Sequence, residues 1–262
     1  MRYKLAKLKE QLRNSKKCVV AFSGGVDSTF LLKTAVEILG ENCLAITVSG
    51  PLNPKSEIEE AEKTAKEFGT FHKILKVDIS EFEWFKNNPS DRCYICKSKV
   101  FNLIKIEAEK FGAEYIFDGT NIDDLSDYRP GLKALNELGI ISPLKDAGLT
   151  KNEIRALSKE YGIKGYDKPS FTCLATRFPT GSEITKELLE KVEKGEEYLK
   201  TEGFRQFRLR CHNELARIEF EKTEISRAFE EKMRERVENN LKEIGFRYIA
   251  IDISGYKTGN MN

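Results

Sequence analysis

"CVVAFSGGVDSTFLLKTAVEILG", residues 18–40, opens on five apolar side chains, breaks at a glycine pair and resumes as a helical pattern closed by another glycine. A short apolar run ending in a turn reads as a strand buried on both faces. The turn "SGGVDS" at 23–28 therefore joins a strand end to a helix N-terminus. Gly24 and Gly25 let the backbone pass close to an anion, while the first amides of the helix and its dipole favour negative charge. Ser23 and Ser28 add hydroxyl donors. The alternative is a plain tight turn with Asp27 or Ser28 as a helix cap. The GxxxxGK pattern and its lysine are missing. That lysine holds the β- and γ-phosphates for γ-transfer, so its absence suits ATP chemistry in which pyrophosphate leaves whole.

The same order repeats outward from this turn. "CLAITVSG" reads as a second strand, "KSEIEEAEKTAKEFG" as a helix, "HKILKVDI" as a third strand, "SKVFNLIKIEAEKFG" as a helix and "AEYIFDG" as a fourth strand, with "LTKNEIRALSKEYGI" as one more helix. Alternating strands and helices predict an α/β fold, a parallel sheet covered on both faces, with ligands beyond the carboxyl ends of the strands. "FDGTNIDD" (117–124) follows the fourth strand, so Gly119 and Asn121 emerge at the edge that carries the phosphate turn. Asn121, Asp123 and Asp124 are placed either to bind Mg²⁺ or substrate, or to cap the next helix. "VSGPLNP" follows the second strand, where Ser49 is a contact for adenine or ribose.

Beyond the long, aperiodic stretch 164–183 the character changes. A helix (about 186–199), strands "RQFRLRCH" and "LARIEFE", a charged helix (about 224–244) and a strand "RYIAIDI" predict a small α+β domain. The expected domains are 1–183 and 184–262. On "RQFRLRCH" the period of two puts Arg208, Arg210 and His212 on one face. Two guanidinium forks aimed one way suit phosphate oxygens; the plain alternative is cross-strand pairing with Glu219 or Glu221.

The chain has 262 residues, 40% apolar and 33% charged, and its 44 basic and 42 acidic side chains nearly cancel. That balance provides no global field for nucleic acid or an anionic membrane. No apolar run is long enough to cross a bilayer and no leader pattern opens the sequence, so a cytoplasmic, reducing setting is expected. Six cysteines there point to metal or catalysis before disulfides. Cys18, Cys43 and Cys211 sit in strand patterns and read as small core residues. Cys93 and Cys96 in "DRCYICKSK" differ, since a helix N-terminus and basic neighbours favour thiolate. Cys173 in "KPSFTCLATR" lies in a loop. Structural zinc wants four ligands and no standard set completes one; three thiolates can instead hold a [4Fe-4S] cluster by three corners, leaving one iron open.

"SGGVDS" in this position matches the PP-loop of the ATP pyrophosphatases. With "DGTN.DD", "SPL..AGLTKNEIR", "DKPS..CLATR", "ARIE" and "GFRYIAIDISGYKTGNMN", the chain closely resembles the LarE family across essentially its whole length. The resemblance implies a HUP-like PP-loop domain and α/β-cleavage of ATP, with Asp27 near Mg²⁺ and pyrophosphate. It implies an ATP-dependent sulfur transferase acting on a pyridinium biscarboxylate mononucleotide, in which a carboxylate is adenylated and sulfur displaces AMP. Lys151 and Arg177 are expected near the developing charge, and Arg208, Arg210 and His212 at the substrate phosphate. In one branch a single cysteine, matching Cys173, gives up its own sulfur. In another, three cysteines, matching Cys93, Cys96 and Cys173, carry an iron–sulfur cluster that delivers sulfide from a donor. This sequence has the second arrangement, and "CLATR" replaces the commoner "CLASR". A homo-oligomer, trimer or hexamer, is also implied. A tRNA thiolase would share the phosphate turn and the three thiols but should add a broad basic surface. An amidotransferase-type ligase would not need the thiols.

Overall fold

A computed structural model describes residues 1–78, 87–126, 130–169 and 172–257. Ser170 and Phe171 of the "DKPSF" stretch, and the closing "TGNMN", lie outside the described residues. The chain divides into two compact units, Met1–Val77 with Asp91–Phe171, and Asp78–Ser90 with Thr172–Asn262. Cys173 and Arg177 thus belong to the second unit, with the arginines of "RQFRLRCH".

The first unit contains α1 (Arg2–Ser15), β1 (Cys18–Ala21), α2 (Val26–Leu39), β2 (Cys43–Ser49), α3 (Lys55–Glu67), β3 (Phe71–Lys76), α4 (Arg92–Phe111), β4 (Tyr115–Phe117), α5 (Pro130–Glu137), α6 (Pro143–Asp146) and α7 (Lys151–Glu160). Its four strands pair in the order β3-β2-β1-β4, all parallel. The apolar run of β1 has no polar face because both of its faces are covered. Cys18, Val20 and Phe22 pack with Leu5, Leu8 and Leu12 of α1, Phe30 and Leu31 of α2, and Ile154 and Leu157 of α7. Val19 turns the other way, onto Phe101 and Ile104 of α4 and Leu135 of α5. Helices on both sides of a parallel sheet follow from right-handed strand–helix–strand crossovers.

Local chemistry sets the helix ends. α7 begins with a capping box: Thr150 Oγ1 accepts Glu153 N–H at 3.3 Å and Glu153 Oε2 accepts Thr150 N–H at 2.9 Å. The same carboxylate receives Lys4 Nζ at 2.7 Å, which ties α1 to α7 and holds the Glu153 carboxyl below its ordinary range. The stretch "PGLKALNE", left without an element by the sequence reading, forms α5 with proline at its first position.

The second unit contains α8 (Lys186–Thr201), β5 (Phe207–His212), β6 (Leu215–Phe220), α9 (Ile225–Ala228), α10 (Glu231–Ile244) and β7 (Tyr248–Ile251). β6 pairs antiparallel with β5 and parallel with β7. Gly195 lets α8 lie close on the sheet, since a Cβ there would fall 2.6 Å from Leu209 Cδ1. The single charged helix expected over 224–244 is two helices. Glu230 is extended at the break, where Arg227 turns back to donate to the carbonyls of Glu202 and Gly203. Among the described residues no helix is long and apolar enough to cross a membrane.

Leu157 has no solvent exposure and joins α7 to the core beneath β1. Leu157→Ala is expected to destabilise the protein by about 2–5 kcal/mol, read as a lowered urea midpoint at an unchanged slope.

Candidate functional site

In the first unit the phosphate turn is built as its sequence requires. Gly24 has φ +76° and a Cβ on it would stand 3.2 Å from the Ala61 methyl of α3, so both its conformation and its clearance call for glycine. Gly25 is the N-cap of α2 and leaves the first amides of that helix without a side-chain cap. Ser28 Oγ donates to Gly25 O at 3.1 Å and lies 3.0 Å from Ser23 Oγ, while Ser23 Oγ accepts Gly25 N–H at 3.4 Å. The two serines therefore shape the turn, with Ser23 exposed and Ser28 buried.

Gly119, just beyond β4, is pressed onto this turn: a Cβ there would lie 2.9 Å from the Ser28 amide nitrogen. "FDGTN" thus flanks the phosphate turn directly, as the parallel sheet predicts. Asn121 is buried and its Oδ1 accepts Asp123 N–H at 2.9 Å, while Asp124 Oδ2 accepts Asn121 N–H at 3.0 Å. Asp123 Oδ2 accepts the backbone N–H of Lys151 at 2.8 Å. Ser49 ends β2 half-buried, with its carbonyl bonded to Val77 N–H at 2.8 Å.

Asp27 is the electrostatic centre of this unit. Its Oδ2 receives the ammonium of Lys151, whereas its Oδ1 is buried with no hydrogen-bond partner among the described residues. Burial raises the Asp27 pKa; Lys151 opposes that rise, Asp124 adds to it and Arg155 opposes it more weakly. An unmatched carboxylate oxygen at a helix N-terminus wants a cation, so the residue fits a divalent ion accompanying phosphates.

Cys93 and Cys96 occupy the first two turns of α4 in the first unit, Cys93 exposed and Cys96 half-buried. A spacing of three puts them on one helix face. Cys173, exposed, is the N-cap of a single 3₁₀ turn, Leu174–Arg177, in the second unit. All six cysteines are thiols outside any disulfide. Cys18 and Cys43 are buried on paired strands, and their mutual hydrogen bond, with burial behind it, pushes the Cys18 thiol far up. Cys211 is pushed up to about 11 by burial. Neither buried site favours a reactive thiolate. Within neither unit do the described residues gather three His, Cys, Asp or Glu side chains about one metal position.

The second unit assembles arginines around the Cys173 turn. Arg177, expected near developing charge, is 0% exposed and forms a fork–fork pair with Glu196, Nε to Oε1 and Nη2 to Oε2, both at 2.8 Å. Its Nη1 donates to Thr172 O at 2.8 Å and Thr172 Oγ1 at 2.7 Å, so the guanidinium holds the entry to the turn. Glu196 Oε1 also accepts Leu209 N–H at 3.0 Å, which fastens α8 to β5. The sequence reading missed Glu196, whose partners lie on other elements and leave no local pattern.

Arg208 and Arg210 share one face of β5 but are 3% and 4% exposed. Arg210 donates to Glu219 Oε2 at 2.7 Å and to Thr176 O at 2.8 Å, and its Nε is buried without a partner among the described residues. Arg210 thus makes a cross-strand pair of the kind the sequence also allows. Arg208 donates to Phe207 O at 2.6 Å and its guanidinium carbon lies 5.0 Å from the Tyr256 ring centre. Burial, then Arg177, lowers the Arg208 pKa. His212 Nε2 accepts Arg217 Nε–H at 3.3 Å, which requires a neutral ring protonated at Nδ1; burial and the charges of Arg217 and Arg210 lower its pKa accordingly. Among the described residues, ion pairs here join Arg177 to Glu196, Arg210 and Arg217 to Glu219, and Arg217 to Asp252.

Three outcomes are expected for the first unit. Asp27→Asn should cut ATP turnover about 100-fold or more. It should also remove a pH-dependent loss of stability: a carboxyl with a raised folded pKa stabilises below its unfolded value and loses that contribution as pH rises through the folded one. Thermal midpoints of the wild type and Asp27→Asn across that window check the sign. Gly119→Ala, which drives a methyl against Ser28, should raise the KM for ATP roughly tenfold or more.

The sequence model of a family described as NAD synthase matches residues 2–93, which cover the phosphate turn and the strands beside it. The pyridinium-3,5-bisthiocarboxylic acid mononucleotide synthase of Lactiplantibacillus plantarum is 35% identical over 260 residues, 99% of this chain and 94% of that protein. Uncharacterized proteins of Synechocystis sp. (37% over 259 residues; 99% and 97%) and Methanocaldococcus jannaschii (36% over 258 residues; 97% and 98%) are similar over comparable spans. The likeness extends past the nucleotide loop through the arginine-rich second unit, so the shared feature is more than a phosphate-binding turn. The chain belongs to the LarE family of ATP-dependent sulfurtransferases.

Proposed function

We propose that the protein adenylates a carboxylate of pyridinium-3,5-biscarboxylic acid mononucleotide and converts it to a thiocarboxylate, releasing pyrophosphate and then AMP. The observation that carries this reading is the likeness to the Lactiplantibacillus plantarum synthase across both units, with 99% of this chain covered. ATP phosphates take the amides of residues 23–28, with Ser23, Gly24, Gly25 and Ser28 forming the turn and Gly119, Asn121 and Ser49 beside it. Asp27 would hold Mg²⁺ through its unmatched oxygen, with Asp123 as a further carboxylate, and the ion would offset phosphate charge. Lys151 neutralises the other Asp27 oxygen and supplies a cation where negative charge builds during displacement at the α-phosphorus. Arg208 and Arg210, with His212, take the phosphate of the mononucleotide. Arg177 and Glu196 keep the Cys173 turn in shape.

The acyl adenylate then meets sulfur, which bonds to the acyl carbon as the C–O bond to AMP breaks. Cys93, Cys96 and Cys173 fit an iron–sulfur group by donor chemistry: three soft thiols outside any disulfide, two of them exposed. A [4Fe-4S] cluster bound there would supply an iron without a cysteine ligand, where sulfide from a donor can be held. Assembly as a homo-oligomer, trimer or hexamer, belongs to the same reading and is checked by light scattering.

Anaerobic reconstitution followed by an assay with substrate, MgATP and sulfide tests the proposal. About four irons per chain and repeated sulfur transfer are expected. Fewer than about two irons, with one sulfur per chain and loss of one H₂S from the protein at Cys173, would show a sacrificial cysteine instead. Salt-sensitive retention of tRNA would favour the thiolase alternative. For the phosphate site, Arg208→Ala should weaken the pyridinium nucleotide roughly 10- to 100-fold with the KM for ATP unchanged; equal substrate affinity would remove Arg208 from the site. Arg210→Ala is a poorer probe because it also breaks the pair with the fully buried Glu219 and the bond to Thr176 O.

A further inference from the structure

Asn88 belongs to the second unit and is 0% exposed. Its φ is +37°, a left-handed conformation unusual for a residue with a side chain and further disfavoured by Pro89 after it. Three hydrogen bonds run from it to the chain just after the Cys173 turn. Nδ2 donates to Phe178 O at 3.1 Å and to Pro179 O at 2.9 Å, and the Asn88 carbonyl accepts Gly181 N–H at 3.0 Å. Two carbonyl acceptors around one atom fix the orientation of the amide, because its oxygen in that place would be repelled. Oδ1, on the other side, is buried with no partner among the described residues. A buried amide that keeps one end unbonded in an unfavourable backbone conformation is retained for the end that bonds.

We propose that Asn88 is a positioning residue for sulfur transfer, an amide clamp on the exit of the turn that presents Cys173. Arg177 and Glu196 grip the entry through Thr172; Asn88 grips the exit at Phe178 and Pro179. Held at both ends, the thiol keeps one position relative to its own unit. Asn88 also precedes Cys93 by five residues, as Phe178 follows Cys173 by five, so the clamp joins the two stretches of chain that lead to the thiols. Its contacts all lie within the second unit, which assigns it to sulfur delivery and leaves the ATP turn of the first unit untouched. The role in delivery rests on the reading of Cys173 given above.

Three variants separate the side chain from the backbone. Asn88→Gly accepts a positive φ but has no amide; Asn88→Ala loses both; Asn88→Asp sets a carboxylate against two carbonyls. Substrate-dependent ATP–pyrophosphate exchange should stay within about threefold of wild type in Asn88→Gly, while sulfur transfer falls at least about tenfold, and further in Asn88→Asp. Trypsin cleavage after Arg177, shielded in the wild type, should accelerate at least about tenfold in all three variants. Wild-type transfer and wild-type trypsin resistance in Asn88→Gly would overturn the proposal, as would exchange and transfer falling in parallel. Should the wild type itself show no substrate-dependent exchange, the functional reading fails. The trypsin arm then decides the clamp alone, since it needs no substrate.

Discussion

The second unit is organised by one buried pair, the fork of Arg177 on the carboxylate of Glu196. Each partner is committed elsewhere as well, Arg177 to Thr172 at the head of the cysteine turn and Glu196 to the amide of Leu209 in β5. A helix, a strand and a turn therefore meet at hydrogen bonds that each have an ionised donor or acceptor. Such a pair adds little net stability, because withdrawing both charges from water costs about as much as their attraction returns. What it confers is a single geometry, since removing either partner leaves the other charged and dry. The turn that carries Cys173 is held by burial of Leu174, Ala175 and Phe178 together with these polar bonds.

Around that pair the charges are deliberately uneven. Arg210 and Arg217 face one another across β5 and β6, a repulsive arrangement made tolerable by Glu219 between them and by Asp252 on Arg217. The Arg208 guanidinium, close to those of Arg177 and Arg210, has its pKa lowered by burial and by both of them, and it rests against the Tyr256 ring. A protein seeking stability alone would replace such a group with a hydrocarbon. Its retention is in keeping with the proposed reading, in which the phosphate of the substrate would sit among these guanidiniums. Asp27 in the first unit is the mirror case, a carboxylate whose burial is only partly offset by Lys151 and whose free oxygen awaits a cation. On the proposed reading each place would be relieved by a ligand of opposite charge.

How much of this was legible depended on whether a feature is local. The strand–turn–helix at 18–40 could be read directly, since buried parallel strands are apolar throughout and only glycine suits Gly24. The alternation on β5 was also legible, and it placed Arg208 and Arg210 together. It did not reveal that both strand faces are covered, because a buried arginine and an exposed one look alike in sequence. Glu196 and Asn88 were not legible at all: their partners lie on separate elements and no period connects them. The break at Phe229 and Glu230 was hidden for a related reason, as a continuous charged pattern gives no sign that Arg227 will turn back to the carbonyls at the end of α8.

The six cysteines divide along the same line between burial and chemistry. Cys18, Cys43 and Cys211 fill strand positions where a thiolate is costly, so they can be abundant in the core without competing for metal or electrophile. Cys93 and Cys173 face solvent, and Cys96 is only partly covered. Exposure permits the thiolate, yet exposure alone would also leave an acyl adenylate open to water, which is present at far higher concentration than any sulfur donor. Sulfur can win that competition only if its approach is fixed in advance. On the proposed reading, anchoring of the Cys173 turn by Arg177 with Glu196 at one end and Asn88 at the other is what would let sulfur compete with water, and it gives a reason for the buried polar bonds concentrated on so short a segment.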